Sequence, residues 1–142
     1  MTFPMQPPEL DAWASGFPVM LLHAGLMLAI LFLGAALYGA LTPYREIQLI
    51  REGNSAAALS FGGGLVALAL PLAFALASSK SWLDVLLWGV TTTLAQLFLF
   101  WLTDLIFHGL PQRVRGGDIA AAALMAAAKL AVAAILAGAV VA

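Results

Sequence analysis

The stretch IAAAALMAAAKLAVAAILAGAVV, Ile119 to Val141, decides the fold. Every residue in it is small or apolar except Lys129. It reaches the roughly 20 residues that a hydrocarbon core about 30 Å thick demands of a helix. An ammonium near the midplane of such a span costs about 2.5 to 3.5 kcal/mol, so Lys129 must face protein or water, or snorkel along its stem to a carboxylate or headgroup.

Working outward, the rest of the chain has the same character. Of its 142 residues, 63% are hydrophobic and 9% charged, with a mean hydropathy of +1.02, a composition that fits no water-soluble globule. Three more apolar stretches can span a bilayer, at about Phe17 to Leu41, Ala56 to Ala77 and Trp82 to Phe107. A spanning segment must satisfy its own backbone groups, and none of these alternates as a barrel strand does. The expected fold is therefore an all-α integral membrane protein of four transmembrane helices. Pro71 lies inside the second span and is expected to kink it, while Pro18 falls near the start of the first.

Arg45 and Arg51 lie between spans one and two, Arg113 and Arg115 between three and four, and Lys80 alone between two and three. This bias places residues 42–55 and 108–118 in the cytoplasm and both termini outside. Residues 1–16 read as an extracytoplasmic tail, because they carry Glu9 and Asp11 and no Lys or Arg. That tail offers no basic n-region, so the first span is expected to stay in place rather than be cleaved. Trp13, Phe17, Tyr44 and Trp82 fall at expected membrane borders, whereas Trp88 and Trp101 do not. There is no Cys, hence no disulfide or thiolate chemistry.

The segment Arg51-Glu52-Gly53-Asn54-Ser55-Ala56-Ala57-Ala58 returns loosely as Arg115-Gly116-Gly117-Asp118-Ile119-Ala120-Ala121-Ala122, a shift of about 64 residues. The chain reads as two tandem helical hairpins of like topology, residues 17–79 and 80–142. Asn54 and Asp118 each precede an Ala-rich run and read as N-caps.

On these residues the chain resembles the YjfL-like family, small bacterial inner-membrane proteins built from two copies of a domain of unknown function. The resemblance is carried by TPYREIQLIREGNSAA, Thr42 to Ala57, then by Gly62, Gly63 and Gly64, by Pro71-Leu72, and by Trp88-Gly89 and Gln96-Leu97. It implies a four-helix protein of the bacterial inner membrane and no activity or substrate. Asp118 stands where the family would have Asn, and Lys129 where a small or apolar residue would be expected.

Within the loop motif, Thr42, Pro43, Glu46 and Asn54 are the candidate residues. Pro43 disfavours helix at Thr42, Tyr44 anchors at the interface, and Glu46, three residues beyond Pro43, is expected to lie in a short interfacial helix. Glu46 is read as a solvated residue pairing with Arg45 or Arg51, with a charged opening as the functional alternative. Small residues four apart, including Ser60 with Gly64, Ala58 with Gly62 and Gly63 with Ala67, let another backbone approach closely. Helix four repeats the device with Ala122 and Ala126, Ala127 and Ala131, and Ala133 and Ala137. Such faces serve packing within the chain, a homo-oligomer or a larger membrane complex.

Gln96, Asp104 and Lys129 form the candidate intramembrane polar site. Asp104 and His108 are four apart and read as sharing a helix face; Gln96 could hydrogen-bond Lys129; Asp84 or His23 with Thr92 would extend the series toward the other side. No phosphate loop, dinucleotide glycine pattern or metal-ligand motif is present, so no catalytic residue, cofactor or metal is expected, nor any nucleic-acid contact. Beyond the lipid bilayer, the expected partner is another copy or a membrane complex. Two functions follow: a non-catalytic structural or accessory membrane subunit, or a small channel or transporter using the polar series.

Overall fold

The apolar stretches fold as the long helices of an all-α structure. The computed structural model describes residues 5–42 and 45–142, in the order α1 (Pro8–Leu41), α2 (Glu46–Arg51), α3 (Ser55–Ser78), α4 (Trp82–Ile106), α5 (Leu110–Arg115) and α6 (Ile119–Val141). The helices α1, α3, α4 and α6 are each long and apolar enough to cross a membrane.

One border departs from expectation. Helix α1 begins at Pro8 rather than near Phe17, so much of the expected tail is helical and Pro18 lies inside the helix. The cause is local. Pro8 occupies a first-turn position whose N–H has no partner in any helix, and Glu9 and Asp11 place carboxylates at the positive end of the dipole. At about 1.5 Å per residue the helix is roughly 50 Å long, well beyond a hydrocarbon core. Pro71 is buried within an unbroken α3.

The most extensive interface joins α3 to α6. These two helices run parallel, since Ala56 clusters with Ala121 and Ala122, Gly63 faces Ala126, and Ala67 clusters with Ala133. A Cβ on Gly63 would sit 2.4 Å from the Ala126 Cβ and 3.0 Å from its Cα, so only glycine permits this approach. Ser60 and Gly64 are also buried, the latter against the Tyr38 ring. The small-residue faces are thus largely used inside the chain, although nothing lies within 4 Å of a Cβ on Gly62 and Ala58 is exposed. Helices α1 and α4 also run parallel, with Ile30 against Gly89 and Gly34 against Thr93. Trp88 and Trp101 lie exposed on α4.

Both hairpin loops end in the same way. Gly53 and Gly117 adopt φ of 89° and 91°, a left-handed geometry that strains other residues. One residue on, Asn54 Oδ1 accepts from the Ala57 amide at 3.1 Å and Asp118 Oδ1 from the Ala121 amide at 3.2 Å. Both expected N-caps are present. The Ala121 amide and the Arg113 guanidinium hold the Asp118 carboxyl below its usual range. The Asn54 Nδ2 also donates to the Arg115 carbonyl at 3.0 Å, tying one loop to the other.

Candidate functional site

Five elements send a polar side chain into one place near the loops: Tyr38 from α1, Glu46 from α2, Ser60 from α3, Asp104 from α4 and Lys129 from α6. The residues around them explain the burial. The six-residue α2 packs back on α3, which carries its first residue, Glu46, under the bundle. Tyr38 and Asp104 both lie within a turn of their helix ends, whereas Lys129 lies on the buried face of α6 with Met125, Ala126 and Ala133.

Lys129 is 2% exposed and its ammonium stays inside. Its Nζ donates to the Tyr38 hydroxyl at 2.6 Å and lies 3.2 Å from Asp104 Oδ1. The same Nζ is 5.3 Å from the centre of the Phe100 ring, so an aromatic ring supplements the ionic partner. The salt bridge to Asp104 that the long stem could reach is therefore formed, while the hydrogen bond expected from Gln96 is replaced by one to Tyr38.

Glu46 is 5% exposed, which corrects its reading as a solvated residue of the turn. No ion pair joins it to Arg45 or Arg51 among the described residues. Instead it bounds a cleft with Thr42, Ser60, Asp104, Met125 and Lys129 of only about 10 Å³, room for no more than one water. Burial pushes its carboxyl up to about 7, and Asp104 pushes the same way against Lys129 and Ser60. Two carboxylates thus share one ammonium. Neither Glu46 Oε2 nor Asp104 Oδ1 has an aligned hydrogen-bond donor.

The remaining candidates separate from this cluster. Gln96 is 1% exposed and its amide nitrogen and oxygen are both unpartnered, as is the Thr93 hydroxyl. Beyond them the core is apolar, made of Met27, Ile30, Leu72, Ala75 and Val85. Asp84 accepts from the Lys80 amide at 3.1 Å and so belongs to the start of α4. The buried charged groups gather at one end, and Thr92, Thr93 and Gln96 are buried further along α4. His108 does not share a helix face with Asp104, because α4 stops at Ile106 and Gly109 turns the chain with φ of 89°. Thr42 donates to the Tyr38 carbonyl at 2.6 Å and ends α1; Pro43 and Tyr44 lie outside the described residues. Tyr38 went unnoticed in the sequence, where its only signal is a polar-tipped ring one turn before a helix end.

Among the described residues, no group of three His, Cys, Asp or Glu side chains could hold a metal ion. Comparison with known proteins finds the model of a Domain of Unknown Function (DUF350) over residues 12–140. The chain is also similar to the UPF0719 inner membrane protein YjfL of Escherichia coli strain K12 and of E. coli O157:H7. It is 34% identical to each over 107 residues, covering 75% of this chain and 80% of the relative. No solved structure matches.

Proposed function

This chain belongs to the DUF350 family, and from that premise we propose that it is a non-catalytic, multi-pass subunit of the bacterial inner membrane whose working part is a one-sided, proton-linked ionic site. The observation that carries the reading is the burial of Glu46 and Lys129 beside the half-buried Asp104 at the loop end. A carboxyl held near neutrality beside a fixed ammonium can gain or lose a proton as its side of the membrane changes pH. The Arg residues of both loops support a cytoplasmic side for that end, with both termini outside. The printed name of the E. coli relatives supports the inner membrane.

An accessory or oligomeric role draws support from α1. Its residues 8–22 are exposed, including Trp13, Phe17 and Met20, and their helix outruns the bundle. A through-channel is less well supported, since the apolar cluster of Met27, Leu72 and Val85 closes the other half. The test is reconstitution of the full chain in liposomes under a pH gradient, with Lys129→Met beside it. Proton or ion leak no greater than that of empty vesicles supports the one-sided site. Leak that Lys129→Met abolishes would overturn it in favour of a channel.

A further inference from the structure

Near the loops α1 and α4 part, and a groove of about 710 Å³ opens sideways between them. Its wall is apolar and aromatic, with Phe98, Trp101 and Leu105 exposed on the outer side of α4. At its polar end sits Asp104, with His108 and Gln112 at the rim. In a spanning orientation, such an opening faces the hydrocarbon just inside the headgroup level. An occupant must therefore be amphipathic, with an apolar body along α4 and a polar end at Asp104.

The sign of that polar end follows from the charges. Asp104 lines both the closed cleft and the groove, and its side chain is 30% exposed. Lys129 approaches it from the buried side, yet with Glu46 ionised the cleft holds two carboxylates for that single ammonium. Asp104 Oδ1 is buried and faces Nζ at 3.2 Å, so the exposed part of the side chain, the part a groove occupant meets, is the rest of the carboxylate. An anion would meet a carboxylate here, a neutral alcohol would leave the excess charge unbalanced, and a quaternary ammonium has no N–H to donate. We infer that the groove binds a lipophilic primary ammonium, its N–H groups on Asp104 and its chain against Phe98 and Trp101. The inference rests on Asp104 and on the charge count of the site proposed above, so the titration is run above about pH 7, where Glu46 is ionised; it does not depend on which end faces the cytoplasm.

The test is native mass spectrometry of the full chain in detergent, titrated with dodecylammonium and, separately, with dodecanol. The expected result is a one-to-one dodecylammonium adduct at a concentration at least about ten-fold below that needed for dodecanol, which is about 1.4 kcal/mol. Asp104→Asn should erase that ratio. Trp101→Ala, an exposed position that leaves the ionic cluster intact, should weaken both probes and keep the ratio. Equal binding of the two probes by the parent, or a ratio that survives Asp104→Asn, would overturn the inference. Displacement of dodecylammonium by phosphatidylethanolamine and not by phosphatidylcholine supports a lipid headgroup as the natural occupant. Displacement by neither supports a free amphiphile, and displacement by both equally would overturn selection for the primary ammonium.

Discussion

The Lys129 ammonium donates a hydrogen bond of 2.6 Å to the Tyr38 hydroxyl, 91 residues earlier in the chain. The contact joins the last long helix to the first and fixes the ammonium between Asp104 and the Phe100 ring. Tyr38→Phe removes one hydrogen bond to a buried charge and should cost about 2 kcal/mol. Thermal unfolding in detergent measures it, with Phe61→Leu, beside the Tyr38 ring, as the packing control.

Lys129→Met leaves both carboxylates without their cation. Removing one partner of a buried pair costs about 3 to 5 kcal/mol, and the low end applies because Asp104 retains access to the groove. Adding Asp104→Asn to Lys129→Met should recover part of that loss. Strict additivity of the two single losses would show that the ion pair contributes nothing.

Glu46 gives stability a definite pH dependence. Its folded value of about 7 exceeds the ordinary 4.5, so between those values the folded state holds more protons than the unfolded. Stability must then fall as pH rises from about 4.5 to about 7 and level off above, a total of order 1 to 3 kcal/mol. Glu46→Gln should flatten this window and unfold at higher temperature than the parent at about pH 8. A melting temperature of the parent that rises across the window would contradict the burial of this carboxyl.

The α3–α6 contact predicts a contrast between adjacent glycines. Gly63→Ala forces its Cβ onto the Ala126 Cβ and backbone, a form of overpacking that costs about 1 to 3 kcal/mol. Gly62→Ala meets nothing within 4 Å and should be neutral or slightly stabilising. Unfolding temperatures of the two variants in one detergent decide the matter.

At the loops, Asn54→Ala removes both the cap on Ala57 and the tie to the Arg115 carbonyl. Losing the cap alone costs about 1 kcal/mol. Asn54→Asp keeps an acceptor for the cap and loses the donor, so its cost should be the smaller. Hydrogen exchange at the start of α3 and the end of α5 separates the two effects.

The spans were legible because burial in a bilayer writes itself as uninterrupted apolar sequence, and the N-caps because Asn54 and Asp118 stand at a composition boundary. The site was legible only in part. Asp104 and Lys129 announce themselves as charges in apolar helices. Glu46 does not, because a six-residue helix has too few turns to show a buried face, and only its packing on α3 brings the carboxyl inside. Tyr38 resembles any interfacial aromatic until α6 places an ammonium on its hydroxyl. Helix α1 was underestimated because its span was bounded by the apolar stretch, and the polar turns that start at Pro8 with Glu9 and Asp11 fall outside that measure.

The most direct test of the central claim, a protonatable carboxyl buried beside Lys129, is infrared difference spectroscopy of the reconstituted protein between about pH 5.5 and about pH 8.5. A protonated-carboxyl band that disappears with a midpoint near 7 in the parent, and is missing from Glu46→Gln, is the predicted result. A parent spectrum with no such band, or one that Glu46→Gln leaves unchanged, would contradict it.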